Sequence, residues 1–130
     1  MVGMETALHL AERGKKVSLI TLNRLGENGK RLEENIYRTL RDRMIRHGVQ
    51  IFPSTPAVEI RPDGVFANDG GDILWLPTDT VVLDVGYKSQ GKLVDELKGV
   101  VPEIYSAGDC NAPRDGLEAT REGMEVGLTV

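Results

Sequence analysis

Two short groups of residues in this sequence have types and spacing that suit ligand binding. The first is Gly3 with Glu5, at the point where an amphipathic helix is predicted to begin. The second is Gly108 with Asp109, which follow a β-rich run. A glycine at such a helix start lets the helix and a strand approach each other closely, and a carboxylate accepts hydrogen bonds from sugar hydroxyls. No acid, base or nucleophile among these residues suggests a catalytic role, so the pattern predicts binding.

Residues 2–22 predict a helix, a tight turn and a buried strand, which together form the second half of a βαβ unit. Gly14 ends the helix, and residues 17–22 are a β-rich run of the kind that follows such a helix in a parallel sheet. The helix carries one stripe of small and apolar residues: Met4, Ala7, Leu8 and Ala11. A complete unit begins with a strand and a glycine-rich turn whose amides hold a pyrophosphate. Since the chain starts at Met1, Gly3 is interpreted as the third glycine of a G-x-G-x-x-G fingerprint, with the first strand and both phosphate-binding glycines missing.

The residues that follow this β-rich run predict which nicotinamide cofactor such a site accepts. An acidic residue at this strand end holds the ribose hydroxyls of NAD, whereas neutral and basic residues leave room for the 2'-phosphate of NADP. Thr21, Asn23 and Arg24 stand here, and no carboxylate comes before Glu27. The pattern favours NADP or tolerance of both cofactors. The alternative is a solvated loop with ordinary charges.

The other candidate residues also have purely structural interpretations. The helix dipole stabilises the Glu5 carboxylate without any ligand. Its position two residues after Gly3 would instead point it toward the nicotinamide end of a bound dinucleotide. Asp109 is placed to accept hydrogen bonds from sugar or ribityl hydroxyls, yet an aspartate in a strand-to-helix turn is common. Cys110 receives no catalytic role because no base is adjacent to it in the sequence. As the single cysteine, it also excludes an intramolecular disulfide and a Cys-x-x-Cys redox pair.

The rest of the chain predicts further helices and strands around a β-meander. Apolar residues four apart predict a second helix, which Gly48 closes in the left-handed conformation. From Ala57 onward, tight turns separate three short strands, which is typical of a meander. Gly86 stands at the carboxyl end of a later strand, where ligands of open α/β sheets bind. The predicted later helices cover residues 31–47, 90–97 and 116–127, and the predicted sheet strands cover residues 49–52, 80–85 and 103–107.

The composition excludes several classes of partner. The net charge of -4 argues against a nucleic acid or an anionic membrane surface, which need a basic face. No apolar run approaches the roughly 20 residues that span a bilayer, and a cytoplasmic protein is expected. The two histidines lie on separate predicted helices, so a zinc site is unsupported.

Taken together, the segments VGMETALHLAERGKKVSLI, TVVLDVG and EIYSAGDCNAPR and the meander resemble the nucleotide-binding part of flavoproteins with two dinucleotide-binding domains. In particular, they are similar to the C-terminal half of NADH:flavin oxidoreductases of the 2,4-dienoyl-CoA reductase and old yellow enzyme type. The resemblance implies an α/β fold, a truncated Rossmann-like NAD(P)-binding domain with a three-stranded antiparallel β-meander and a missing first strand. It implies that residues 1–100 form the NAD(P)H-binding domain and that residues 101–130 return to an FAD-binding domain.

The resemblance also implies a function for a longer parent enzyme, which passes a hydride from NAD(P)H to FAD and onward to an unsaturated acceptor. FMN and an iron-sulfur cluster are expected in the parent only. The residues that the resemblance assigns to NAD(P)H are Gly3, Glu5, Thr21, Asn23, Arg24 and Gly86, and those assigned to FAD are Gly108 and Asp109. Where relatives have Pro-Asn after the strand-end glycine, this chain has Tyr87, Lys88 and Ser89.

Two other functions stay open. One is a nucleotide-holding structural domain without a hydride step, as in the related amine dehydrogenases. The other is a fragment that binds no ligand alone. The isolated chain is expected to be inactive and to bind nucleotides weakly, because the pyrophosphate-binding amides are missing.

The missing strand would lie in the centre of the sheet, between residues 17–22 and residues 80–85. Unpaired backbone groups at two buried edges are costly, so the gap is expected to be filled. Residues 103–107 are the first candidate, and a strand exchanged with a second copy of the chain in a homodimer is the other.

Overall fold

The stripe of small and apolar residues at the start of the chain forms the centre of its main hydrophobic core. A computed structural model describes residues 1–23 and 31–130. Helix α1 (Val2–Glu12) buries Met4, Ala7, Leu8 and Ala11, as the helical spacing predicts. Helix α2 (Arg31–Arg46) adds Met44, which is completely buried, and Val49 follows it in the same core. The two alanines of α1 leave room for these larger side chains, so the predicted first two helices are confirmed.

A short parallel sheet lies beside these helices. Strand β1 (Ser18–Ile20) pairs with β2 (Gln50–Phe52), and Leu19 lies opposite Ile51. Both strands are shorter than the sequence predicts. Gly48 has a φ of 76° between α2 and β2, which confirms the left-handed residue expected there. Because β1 and β2 are parallel, their carboxyl ends lie at the same edge of the sheet.

A three-stranded antiparallel sheet completes the first part of the chain and confirms the predicted meander. Its strands, in the order β3, β4 and β5, are Ala57–Arg61, Gly64–Asp69 and Asp72–Pro77. The rings of Phe66 and Trp75 lie 4.5 Å apart between centroids, so the tryptophan serves packing within the sheet. A Cβ atom at Gly64 would lie 2.5 Å from the backbone oxygen of Leu76 and from the Trp75 ring, which is why a glycine begins β4.

The chain divides into two compact units, Met1–Asp84 and Val85–Val130. The second unit contains helix α3 (Lys92–Leu97), a 3-10 turn (Gly108–Cys110) and helix α4 (Gly116–Thr129). Helix α3 is shorter than predicted and α4 is longer. The units are structural, and they do not test the expected assignment of residues 101–130 to an FAD-binding domain.

Two predicted strands, at residues 80–85 and 103–107, are wrong, because neither segment forms a strand in the structure. The apolar side chains of the first segment are exposed, with 67% of Leu83 and 88% of Val85 accessible. A β-rich sequence becomes a strand only where a neighbour supplies hydrogen bonds, and the parallel sheet of the described residues contains β1 and β2 alone. The expectation that residues 103–107 fill the gap beside β1 is therefore also wrong.

The packing of the core predicts that two adjacent residues of α2 contribute unequally to the free energy of unfolding. Met44 is fully buried, whereas 52% of Ile45 is exposed. We expect Met44→Ala to lower the free energy of unfolding by about 2–5 kcal/mol, because it removes buried atoms and leaves a cavity. The control Ile45→Ala should lower it by less than about 1 kcal/mol.

Urea unfolding of both variants, followed through the fluorescence of Trp75 in the same unit, measures this difference. Equal losses of stability in the two variants would contradict the packing described for α2.

Candidate functional site

The first unit gathers four of the predicted binding residues around one edge of the parallel sheet. Helix α1 packs on β1 and is joined to it by residues 13–17, so the helix starts where the strand ends. Gly3 lies in the first turn of α1 and Glu5 follows it, whereas Thr21 and Asn23 follow β1. Arg24 lies outside the described residues. Helix starts and strand ends that share an edge are where open α/β sheets bind nucleotides.

A carboxylate from a distant part of the sequence contacts the start of α1. The backbone amide of Gly3 donates a hydrogen bond to Oδ2 of Asp84, with 2.6 Å between the nitrogen and the oxygen. A Cβ atom at Gly3 would lie 2.8 Å from that oxygen and 3.3 Å from the Cβ of Asp84. Gly3 therefore permits a close approach, and the group that approaches it in this chain is an acidic side chain.

Asp84 was not among the residues predicted from the sequence. Its only signal was a single carboxylate inside an otherwise apolar run, at residues 80–85. Glu5, one turn into α1, is exposed. Its position near the helix start suits both the structural and the ligand-binding interpretation.

Backbone hydrogen bonds fix the segment that follows β1. The amide of Thr21 donates to the oxygen of Phe52, and the amide of Thr55 donates to the oxygen of Thr21 at 2.7 Å. The Thr21 hydroxyl donates to the backbone oxygen of Asn23 at 2.6 Å. Thr55 is 1% exposed, so the two strand ends are held together from inside the protein. Thr21 and Asn23 are thus placed by the fold at this edge.

In the second unit, the Gly108 and Asp109 pair lies in a turn that α4 holds in place. Gly108 has a φ of 74°, and its amide donates to Oε2 of Glu122 at 2.7 Å. Glu122 is 14% exposed and forms an ion pair with Arg114. The backbone amide of Arg114 in turn donates to Oδ1 of Asp109 at 3.3 Å. Glu122 of α4 thus contacts the turn directly at Gly108, and Arg114 links Asp109 to the same glutamate.

Sequence reasoning missed Glu122 and Arg114 as parts of this turn. Asp115 caps the N-terminus of helix α4, and its side chain accepts a hydrogen bond from the amide of Glu118. Glu118 also hydrogen-bonds to Arg121 and raises the pKa of that guanidinium, with a smaller contribution from the charge of Glu125. The spacing of acidic residues along α4 was the available signal, but it is equally typical of a solvated helix face.

The remaining predicted residues also lie in the second unit. Gly86 has a φ of 89°, a conformation that favours glycine, and lies in an irregular exposed segment. Asp109 is exposed, so its carboxylate is accessible to hydroxyl groups. Cys110 is half-buried and donates from Sγ to the oxygen of Ala107 at 3.1 Å, which is a structural contact.

The helices in the described part of the chain are too short or too polar to span a bilayer.

A family model described as pyridine nucleotide-disulphide oxidoreductase matches residues 1–127. The chain therefore belongs to this family. The family definition and the fold agree, since the helix, the parallel strands and the antiparallel sheet form a truncated Rossmann-like domain.

Individual relatives are oxidoreductases of much greater length. The chain is 32% identical to a metal reductase from Desulforamulus reducens, over 98% of this chain and 23% of that protein. It superimposes on 2-naphthoyl-CoA reductase, solved with 2-naphthoyl-CoA, with a TM-score of 0.81, 26% identity and coverage of 98% of this chain and 19% of that one. Histamine dehydrogenase from Rhizobium sp. 4-9 gives a TM-score of 0.81 at 21% identity, over 95% and 19% of the two chains, and shares the fold. The chain thus spans about a fifth of the relatives that it matches.

The family implies nicotinamide and flavin cofactors, and the two units fit them to different extents. The exposed Asp109 carboxylate, beside a left-handed glycine, suits the hydroxyls of a ribityl or ribose group. The edge formed by α1 and β1 suits a dinucleotide in its backbone geometry. At Gly3, however, the amide already binds the carboxylate of Asp84, which repels a phosphate.

The hydrogen bond between Gly108 and Glu122 predicts that Glu122 stabilises the turn that contains Asp109. We expect Glu122→Ala to speed hydrogen exchange of the Gly108 amide by about tenfold or more, because a hydrogen bond to a charged group contributes about 1.5–3 kcal/mol. The matched control is Glu125→Ala, which removes an exposed glutamate of the same helix that pairs with Arg121.

Amide exchange followed by NMR measures the effect at Gly108. Unchanged protection in the Glu122 variant, or an equal loss in the Glu125 variant, would show that Glu122 does not hold this turn.

Proposed function

We propose that this chain is the nicotinamide-nucleotide-binding part of an FAD-dependent NAD(P)H oxidoreductase of the enoate or dienoyl-CoA reductase type. The observation that carries the proposal is the match of residues 1–127 to the pyridine nucleotide-disulphide oxidoreductase family. The shared edge of α1 and β1 supports it, because the helix start and the polar residues after the strand meet there. The chain spans about a fifth of its relatives, so the complete reaction belongs to a longer parent.

In this proposal the first unit binds the dinucleotide across the sheet edge. The start of α1, at Gly3, lies beside the pyrophosphate, and Glu5 faces the nicotinamide end. Thr21, Asn23 and Arg24 receive the adenine ribose. Because neutral and basic residues occupy this strand end, a 2'-phosphate is accommodated and NADPH binds at least as well as NADH.

In this proposal the second unit takes part in binding the flavin. It also contains the segment that follows Asp84. Asp109 accepts hydrogen bonds from FAD hydroxyls, and Gly108 permits the turn that presents it. Gly86 is assigned to NAD(P)H by the family resemblance alone. A bound flavin supplies the hydride acceptor for a reduced nicotinamide. The residues of this chain bind and orient the two groups, and residues 101–130 belong to the FAD-binding domain in this proposal.

The acceptor in this proposal is a substrate of the longer parent. The relatives are named for a metal and for 2-naphthoyl-CoA, which are chemically unlike. An unsaturated thioester or carboxylate fits the enoate and dienoyl-CoA type. FMN and an iron-sulfur cluster would belong to parts of the parent beyond these residues, since the chain holds one cysteine.

The competing function is a nucleotide-holding structural domain without a hydride step. Histamine dehydrogenase shares the fold with the same TM-score as the naphthoyl-CoA reductase, so the fold alone does not separate the two functions. They differ in which part of the ligand is recognised. A structural domain needs only the ADP portion, whereas a hydride donor site also binds the reduced nicotinamide.

Calorimetric titration of the chain with NADPH, NADH and ADP in one buffer tests the proposal. We expect saturable binding, with NADPH tighter than ADP. Arg24→Ala should weaken NADPH binding about tenfold and leave NADH nearly unchanged, because it removes a charge-assisted hydrogen bond to the 2'-phosphate. Arg13→Ala is the matched control, since Arg13 follows the opposite end of α1.

Equal affinity for ADP and NADPH would favour the structural domain. No binding of any nucleotide would contradict both functions for the isolated chain.

A further inference from the structure

We propose that Asp84 is a specificity-determining residue that occupies the helix start with the chain's own negative charge and lowers the affinity for anionic nucleotides. This inference rests on the proposed function, because it concerns the same edge of the first unit. It goes beyond that function in assigning an opposing role to a residue that neither the sequence pattern nor the family match singles out.

The geometry identifies Asp84 as an anion already bound at α1. Its Oδ2 lies 2.6 Å from the Gly3 nitrogen, which is short for a hydrogen bond and typical of one to a charged acceptor. The absence of a side chain at Gly3 makes the approach possible, since a Cβ atom would lie 2.8 Å from the same oxygen. Helix α1 spans 11 residues, so its first turn carries the partial positive charge that attracts anions.

The charge of Asp84 is not balanced by a cation in the described part of the chain. Its carboxylate is bonded to a backbone amide, and none of the ion pairs between described residues includes it. A phosphate brought to the first turn of α1 meets this carboxylate within a few ångströms. Two like charges at that distance repel each other, and they also compete for the same amide.

A purely structural role for Asp84 gives a different expectation. In that case the side chain only ties residues 80–84 to α1, and its charge is unimportant for ligands. Asp84→Asn separates the two roles, because an asparagine oxygen still accepts the Gly3 hydrogen bond but carries no charge.

The experiment is a calorimetric titration of NADPH into the unmodified chain and into the Asp84→Asn variant. The matched control is Asp79→Asn, which removes an exposed carboxylate from the same segment and changes the net charge equally. We expect the Asp84 variant to bind NADPH about tenfold more tightly and the Asp79 variant to bind as the unmodified chain does. Adenosine, which carries no phosphate, should bind all three proteins equally.

NMR of the Gly3 amide in the Asp84 variant checks that the contact with residue 84 is retained. Equal NADPH affinity of the unmodified chain and the Asp84 variant overturns the inference and leaves the proposed function intact. An equal gain in the Asp79 variant, or for adenosine, also overturns it, because the effect would then not be the local charge acting on phosphate. No binding of NADPH by any of the three proteins contradicts the proposed function and this inference together.

Discussion

The close packing of α1 against α2 and β1 determines where every candidate residue of the first unit lies. Ala7 and Ala11 allow the helix to approach, and the fully buried Met44 fills the space between the two helices. Because α1 runs back along β1, its start meets the carboxyl ends of both parallel strands. If this packing were lost, Gly3 and Thr21 would no longer share an edge. The geometry of this edge is therefore a consequence of the stripe of small and apolar residues on α1.

The elements whose stability depends on local pattern were predictable from the sequence. Helical spacing gave the buried face of α1 and the position of α2, and glycine-containing turns gave the meander. The left-handed residue at Gly48 was predictable because few other residues adopt that conformation. In each of these cases the partner that satisfies the backbone lies nearby in the sequence.

The incorrect predictions concern segments whose partner is not local. Residues 80–85 have the composition of a buried strand, yet the described structure offers them no neighbouring strand and their apolar side chains stay exposed. The same reason applies to residues 103–107. Side-chain composition reports suitability for a sheet, but hydrogen-bonding partners decide whether a sheet forms. The contacts of Asp84 with Gly3 and of Glu122 with Gly108 were missed because each joins residues far apart in the sequence.

The two units relate differently to their proposed ligands. In the second unit, Glu122 and Arg114 hold the turn and leave Asp109 exposed for hydroxyl groups. In the first unit, the backbone edge suits a dinucleotide while Asp84 opposes its phosphate. The family match identifies the scaffold, and we infer that the charge of Asp84 lowers the affinity of this edge for a nucleotide.

The proposed function requires that the edge formed by α1 and β1 binds the nicotinamide nucleotide. Amide chemical shifts in NMR spectra, recorded as NADPH is added, locate the nucleotide on the chain. We expect saturable changes that are largest at Gly3, Glu5, Thr21 and Asn23, with smaller changes in the meander. Changes confined to residues 85–130, or changes that do not saturate, would contradict it.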